Sequence, residues 1–270
     1  MPDLHEPAQQ ASSISQYWDT EVVPDSVADL LVTFRDRNPD FHHCVYSESE
    51  AEQFIGKHFG SRELAAFRAC AVPSMQSDYF RYCSVLALGG VYADADYVCA
   101  RSLRPLVDRP GGEIFLGPST RSINGLRIRM VWSAFFAFSQ PGHPFLRLAL
   151  QIATANLEAR IAERIWPKGE NVIRAIWLTV GPGIFSLMGL IRDLGSFDAF
   201  IEKSIGTHAE SFAHLYCEVI GDYGRLVEAF GGVRVSPHES LVTWVRDPQY
   251  RLPYKDTDSH WHNVRTAIFR

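Results

Sequence analysis

Two aspartates, Asp94 and Asp96, stand two residues apart in the apolar stretch GGVYADADYV at 89–98. A carboxylate is costly to bury unless something pairs with it. In a regular strand both side chains would project to one face, where they could address a single cation. Mg²⁺ and Mn²⁺ prefer such oxygen ligands, and a bound ion of this kind neutralises a diphosphate leaving group. The pair also ends an apolar strand, where α/β sheets bind ligands.

This spacing alone is weak evidence, because short motifs arise by chance and a second pair stands at Asp256-Thr257-Asp258. Either pair could be a turn at a strand end with solvated carboxylates. Paired aspartates also serve metal-dependent phosphohydrolases, but no cluster of further carboxylates or histidines stands near Asp94. The sequence around the pair must therefore decide its meaning.

Asp78 and Arg81 precede this pair and are spaced to share one face of a helix. Side by side, a carboxylate and a guanidinium offer acceptors and donors that suit sugar hydroxyls. The alternative is a local ion pair of little energetic value. Pro73 suits the first turn of this helix, and Gly89 suits its C-terminal cap.

The stretch from Ser77 to Val98, SDYFRYCSVLALGGVYADADYV, resembles the signature of family 32 glycosyltransferases, whose sugar-binding region contains a DXD motif. The family pattern is roughly SDxxRYxxLxxxGGxYxDxD. It is matched here at Ser77, Asp78, Arg81, Tyr82, Gly89, Gly90, Tyr92, Asp94 and Asp96. Weaker similarities lie at 14–18, 38–40, 135–146 and 180–183. The asparagine that the family usually has before the segment at 135–146 is absent, and Trp132-Ser133-Ala134 stand there.

This resemblance implies a GT-A fold, a nucleotide-sugar donor, a divalent Mn²⁺ or Mg²⁺ ion and retention of anomeric configuration. It implies that Asp96 ligates the metal, while Asp94 binds the sugar or ribose of the donor and a metal-bound water. It also implies that Asp78 and Arg81 hold the hydroxyls of the donor sugar. Tyr92 would line the donor pocket and Trp18 would lie near the base, although core packing is the ordinary role of such aromatic residues.

The C-terminal segment is similar to the part of the family that completes the metal site. The resemblance makes Asp256 the leading third ligand, with His260 and His262 as alternatives, and gives Ser259 and Trp261 to substrate binding. An exposed tail with incidental histidines is the other interpretation. Gly181 and Gly183 flank a turn before an apolar helix, which could meet phosphate or acceptor oxygens or could simply be a tight entry turn.

Composition and charge exclude several classes. The chain has 270 residues, 46% of them hydrophobic, and a net charge of -5, so no broad basic face predicts a nucleic-acid partner. Five scattered cysteines without a CxxC pair predict neither a disulfide framework nor a zinc ribbon. The N-terminus lacks the apolar region of a signal peptide, and no stretch has the length of a membrane helix. We therefore expect a cytoplasmic protein that meets a membrane only at its periphery.

Alternating strand and helix patterns predict an α/β fold of GT-A type, with a mainly parallel central sheet flanked by helices. We expect a flexible N-terminus at 1–12 and a single catalytic domain at 13–270. The predicted reaction moves a hexosyl group from a UDP- or GDP-sugar to a hydroxyl of a saccharide acceptor, free or lipid-linked. The alternatives are a toxin-like transferase acting on a protein and a non-catalytic domain that binds sugar nucleotides.

Overall fold

A six-stranded sheet forms the centre of the computed structural model, which describes residues 12–123, 126–165, 172–237 and 242–244. The strands are β1 (Ser13–Tyr17), β2 (His42–Tyr46), β3 (Gly90–Ala93), β4 (Tyr97–Cys99), β5 (Gly112–Ile123), β6 (Leu126–Phe138), β7 (Val233–Pro237) and β8 (Val242–Trp244). The central sheet has the order β2-β1-β3-β6-β5-β7, and β4 pairs with β8 in a second, two-stranded sheet.

The central sheet is mixed, since three of its five pairings are parallel and two are antiparallel. β1 runs parallel to β2 and β3, and β7 runs parallel to β5. β6 lies antiparallel between β3 and β5. The predicted α/β class with a mainly parallel central sheet is confirmed, and the arrangement is consistent with a GT-A-type fold.

Helices cover the sheet, and most of them were expected from the sequence. They are α1 (Asp25–Arg37), α2 (Glu48–His58), α3 (Ser61–Ala69), α4 (Pro73–Leu88), α5 (Arg104–Val107), α6 (Pro144–Ile161), α7 (Val172–Thr179), α8 (Gly183–Leu194), α9 (Phe197–Ser204), α10 (Glu210–Ile220) and α11 (Tyr223–Ala229). Among the described residues no single helix is long and apolar enough to cross a membrane. Two helical segments, 173–179 and 183–194, are together long and apolar enough, but they are bent by 58° at the break between them.

Helix α4 is the buried helix on which the site depends. Pro73 begins it and Gly89 caps it with a φ of 68°, as predicted. Its Tyr79 hydroxyl lies 2.7 Å from Thr154 Oγ1 and ties it to α6. At the following residue, Gly90, φ is 84° and a Cβ would collide with the Ser13 carbonyl, so only glycine fits the connection into β3.

The strand predicted for 91–98 is broken, which corrects the expectation that Asp94 and Asp96 share one face of it. β3 ends at Ala93, and Asp94 and Asp96 lie in the turn before β4. The Asp94 amide still donates to the Ala134 carbonyl at 2.8 Å, but the Tyr97 amide then donates back to the Asp94 carbonyl at 3.2 Å. The turn leaves both aspartates half-buried, which costs less than two carboxylates inside an apolar strand.

Alternation along β3 places its side chains in two cores. Val91 and Ala93 pack on the side of the sheet that holds Phe34 of α1, whereas Tyr92 packs in the larger core with α4 and α6. Tyr92 thereby faces the helix that carries Asp78 and Arg81. The limits predicted for the single domain stay a prediction, because residues 1–11 and 245–270 lie outside the described residues.

Candidate functional site

Arg81 of α4 is the centre of a buried polar group. Its Nη2 lies 2.8 Å from Asp78 Oδ1 and 2.9 Å from Asp94 Oδ1, so one nitrogen serves two carboxylates. Its Nη1 donates to Ser133 Oγ of β6 at 2.7 Å. Asp78 and Arg81 share one helix face, as their spacing predicted, and Asp94 joins them from the end of β3. Asp78, Arg81, Tyr92, Asp94 and Ser133 are called the central cluster below.

Tyr92 supports this cluster from the sheet. Its hydroxyl donates to Asp94 Oδ1 at 3.0 Å and lies 2.7 Å from Ser77 Oγ. The guanidinium carbon of Arg81 lies 5.1 Å from the centre of the Tyr92 ring, which is within the range of a cation–π contact. Tyr92 is fully buried, so its contact with the site runs through Asp94.

Burial and charge shift the pKa values of the cluster in a consistent way. Burial raises the pKa of Asp78 to about 6, although Arg81 opposes the shift. Burial also raises the pKa of Asp94 against Arg81, and the negative charges of Asp96 and Asp78 raise it further. Burial would lower the pKa of Arg81, but the two carboxylates raise it, so the guanidinium stays charged. Two carboxylates therefore contact one guanidinium, and the charge of Asp96 acts on one of them, Asp94, so a bound cation would relieve negative charge at this place.

One oxygen of each carboxylate in the central cluster has no hydrogen-bond partner among the described residues. Asp78 and Asp94 both use Oδ1 for their contacts, and neither Oδ2 has a partner among the described residues. The Asp94 side chain is 27% exposed, so a ligand can reach it. Each carboxylate oxygen can accept hydrogen bonds, so both Oδ2 atoms have acceptor capacity for a bound ligand.

The turn at 181–183 borders this cluster. A Cβ placed on Gly181 would lie 3.1 Å from Asp78 Oδ2, so the backbone of the turn approaches the unused oxygen closely. The Tyr82 hydroxyl donates to the Val180 carbonyl at 2.8 Å and holds the turn against α4. At Gly183 a Cβ would collide with the carbonyl of Trp177, so close packing explains that glycine.

Residues 24–111 match the family model described as "Glycosyltransferase sugar-binding region containing DXD motif". The matched segment includes every residue of the central cluster except Ser133. This segment therefore resembles a glycosyltransferase sugar-binding region. The resemblance seen in the sequence is confirmed, and so is the prediction that the chain carries a glycosyltransferase domain.

Curated relatives of the sugar-binding region are fungal enzymes. The initiation-specific α-1,6-mannosyltransferase of Schizosaccharomyces pombe is 25% identical over 171 residues, which cover 57% of this chain and 41% of that protein. The protein of the same name in Candida albicans is 28% identical over 57% of this chain and 44% of its own length. The mannosyl phosphorylinositol ceramide synthase SUR1 of Saccharomyces cerevisiae is 30% identical over 51% of this chain and 33% of its own length. The chain thus spans less than half the length of these relatives.

A solved structure titled "PaToxG Glycosyltransferase" is similar over 96% of this chain and 88% of its own. The sequence identity is 13% and the TM-score is 0.42, a likeness too low to carry an argument about function.

Trp18 lies near the DXD turn of the sugar-binding region, directly after β1. It is half-buried and packs against a small apolar cluster that includes Ala95, the residue between the two aspartates. Its amide donates to the Tyr46 carbonyl at 2.9 Å. Gln16, two residues earlier, donates to the Asp94 carbonyl at 3.3 Å and anchors the turn from β1. The predicted place of Trp18 beside the site is therefore compatible with this packing.

The metal-binding prediction is matched only in part by the described residues. Asp94 and Asp96 supply the hard oxygen donors that Mg²⁺ and Mn²⁺ prefer. In the described ranges no group of three or more His, Cys, Asp or Glu side chains gathers around one point. The remaining predicted ligands and substrate contacts lie outside the described residues: Asp256, Ser259, His260, Trp261 and His262.

Ser133 is the site residue that sequence reasoning missed. It was noted only because the family asparagine is absent there. Its place in the site follows from the register of β6, whose Ala134 carbonyl accepts from the Asp94 amide. That pairing joins residues forty positions apart, which no local pattern reveals.

Proposed function

We propose that this protein is a metal-dependent, retaining glycosyltransferase that moves a hexosyl group from a nucleotide-diphosphate sugar to an acceptor hydroxyl. The central cluster carries this proposal. The buried Asp78 and the half-buried Asp94 share one guanidinium nitrogen, and each keeps an oxygen without a partner among the described residues. These oxygens lie in a segment that matches a sugar-binding region. Sugar hydroxyls are donors that would satisfy both of them.

The residues of the site have different proposed roles, which follow from their positions. Asp78, Asp94 and Arg81 hold the hydroxyls of the donor sugar, while the backbone at Gly181 and Gly183 borders the same pocket. Asp94 and Asp96, with a third ligand from 256–262, would hold the metal. When bound, the metal supplies positive charge that stabilises the diphosphate as it leaves. Trp18 lies where a base could stack beyond the end of β1.

The transfer is proposed without a protein nucleophile. The acceptor hydroxyl oxygen forms a bond to the anomeric carbon on the face from which the diphosphate departs. The bond between that carbon and the diphosphate oxygen breaks, and this oxygen takes the hydroxyl proton. Asp78 and Arg81 keep the sugar oriented during the step, so their contribution is positioning and charge stabilisation.

The donor, the acceptor and the location are further parts of this proposal. Because two of the curated relatives are named as α-1,6-mannosyltransferases, mannosyl donors come first in a test. We propose a saccharide acceptor, free or lipid-linked, and a protein acceptor is the alternative. A cytoplasmic location with peripheral membrane contact stays part of the proposal.

The decisive experiment is donor hydrolysis and calorimetry with purified protein. A panel of UDP- and GDP-sugars is assayed with and without Mn²⁺, and we expect turnover of at least one donor only with the metal. Asp96→Ala should lower that turnover roughly 100-fold or more, because a charge that acts at the reacting centre is lost. The matched control is Asp193→Ala, which removes an exposed aspartate of α8 and should keep full activity.

Three outcomes separate the candidates. Full activity of Asp96→Ala, or no binding and no turnover of any donor, contradicts the proposal. Metal-linked nucleotide binding without turnover of donor identifies a binding domain instead of an enzyme. Transfer to protein in a labelled extract, with no transfer to saccharides, identifies the toxin-like alternative.

A further inference from the structure

Ser133 is a fully buried serine whose hydroxyl makes one contact with the central cluster. Its Oγ accepts the Arg81 Nη1 proton at 2.7 Å. The carbonyl of the next residue, Ala134, accepts the Asp94 amide at 2.8 Å. Strand β6 therefore fixes both ends of the Arg81–Asp94 ion pair, one through a side chain and the other through the backbone.

The Ser133 contact holds Nη1 of Arg81, while Nη2 contacts Asp78, Asp94 and, at 3.4 Å, Ser77 Oγ. An arginine binds a carboxylate either through one nitrogen or through two parallel hydrogen bonds, and the second mode is the stronger. Here Nη2 alone serves Asp78 and Asp94, and Nε has no hydrogen bond within the described part of the chain. Ser133 thus engages the nitrogen that would otherwise turn toward a second carboxylate oxygen.

The consequence concerns the oxygens assigned to the donor. If Ser133 did not hold Nη1, this buried N–H group would have no hydrogen-bond partner, which is costly. Nη1 would therefore turn toward the nearest acceptor. The unused Oδ2 atoms of Asp78 and Asp94 belong to the carboxylates that Nη2 already contacts. A second hydrogen bond from Arg81 would occupy one of them and compete with a sugar hydroxyl.

We propose that Ser133 is a positioning residue, which holds Arg81 in a bridging orientation and so keeps the outer carboxylate oxygens available for the donor sugar. This inference rests on the proposed function and deepens it. Ser133 does not itself touch the donor in this proposal; it acts through Arg81.

The first test compares Ser133→Ala with Ser204→Ala in steady-state kinetics on the donor that the wild type turns over. Ser204 is an equally buried serine of α9, whose hydroxyl donates to the Phe200 carbonyl at 2.8 Å. For Ser133→Ala we expect the KM for the donor to rise roughly tenfold or more, because a hydrogen bond to a charged group is lost. The kcat should stay nearly constant, since binding of the donor is weakened uniformly. Ser204→Ala should leave KM unchanged.

This division of KM and kcat separates positioning from a structural role. A serine that only stabilised the fold would lower the active fraction and hence kcat, while the remaining molecules kept their KM. Such a result for Ser133→Ala overturns the proposal, as does an unchanged KM. Ser133→Cys is the second variant if the alanine variant does not fold, because a thiol is nearly the same size and a weak acceptor. The same KM increase is expected.

A crystal structure of Ser133→Ala tests the inference without any donor. We expect Nη1 to lie within hydrogen-bond distance of an Oδ2 atom of Asp78 or Asp94, whereas in the wild type it contacts Ser133. An unmoved guanidinium contradicts the positioning role even if the enzyme is active. Absence of turnover by the wild type on every donor would instead contradict the proposed function, and the two failures are therefore distinguishable.

Discussion

Two clusters beside the central sheet combine an arginine with carboxylate and serine side chains. They differ in which polar atoms are left without a hydrogen bond. The central cluster joins Arg81 to Asp78, Asp94 and Ser133. The other, called the edge cluster below, joins Arg234 and Ser236 of β7 to Glu113 of β5. Arg234 donates to Glu113 Oε2 through Nε at 3.3 Å and Nη2 at 3.1 Å, and Ser236 donates to Oε1 at 2.6 Å.

In the edge cluster both oxygens of the carboxylate are bonded by the chain itself, and the arginine side chain is 34% exposed. In the central cluster two carboxylates share one nitrogen, the Arg81 side chain is 4% exposed, and an oxygen of each acid has no partner among the described residues. Residue types therefore do not distinguish a site from a structural ion pair. Incomplete pairing distinguishes the two clusters here, because a carboxylate oxygen without a hydrogen bond within the described chain can accept one from a ligand.

Replacing Arg81 in one variant and Arg234 in another should give the largest difference between the clusters in the free energy of unfolding. Arg81→Met leaves the buried Asp78 and the half-buried Asp94 without a cation, and breaking a buried pair from one side costs about 3–5 kcal/mol. Arg234→Met breaks a partly exposed pair, for which about 0–1 kcal/mol is expected. Urea unfolding of both variants and the wild type at pH 8, with a chelator present, measures the free energy of unfolding. Equal losses for the two variants would show that the clusters do not differ in kind.

The pH dependence of stability should come next in size. Because the pKa of Asp78 is raised to about 6 from its ordinary value of 3.8, the folded state holds the proton more tightly than the unfolded state does. Its contribution is fully present below about pH 4 and is lost as the pH rises through about 6, a change of about 2–3 kcal/mol. Asp78→Asn lacks this titration.

The stability of Asp78→Asn relative to the wild type should therefore increase by that amount between pH 4 and pH 7. Urea unfolding of both proteins in metal-free buffer at a series of pH values measures the difference. A difference that stays constant with pH, or one that decreases, would mean that Asp78 does not hold its proton in the folded protein.

The sequence predicted the local parts of the central cluster and missed the parts that distant pairing decides. Helix α4 has Pro73 and Gly89 at its ends, and the spacing of Asp78 and Arg81 places them on one face, so these features were predictable. The break after Ala93 was not predictable, because the run at 91–98 is apolar and aromatic throughout. The bond from Asp94 to Ala134 and the turn to Tyr97 depend on where β6 lies.

Replacing Gly181, which borders the central cluster, should lower the activity. In Gly181→Ala the new methyl group would lie 3.1 Å from Asp78 Oδ2 and 3.0 Å from the Trp177 Cα, closer than ordinary contacts. The turn must shift away from the unused oxygen, and we expect kcat/KM for the donor to fall roughly tenfold, as small displacements in a binding site do. Gly189→Ala in α8 is the control, because nothing lies within 4 Å of its Cβ position. Equal activity of both variants would remove Gly181 from the site.

The smallest effect should come from the serine of the edge cluster, and it completes the comparison with Ser133. Ser236→Ala removes the donor to Glu113 Oε1 but leaves both hydrogen bonds from Arg234 to Oε2. Because Ser236 is half-buried on the edge strand β7, where water can replace its hydroxyl, we expect a loss of about 1 kcal/mol or less in the free energy of unfolding. The KM for the donor should not change. An increase in KM as large as that expected for Ser133→Ala would place the edge cluster in the donor site, and incomplete pairing would then no longer identify where the sugar binds.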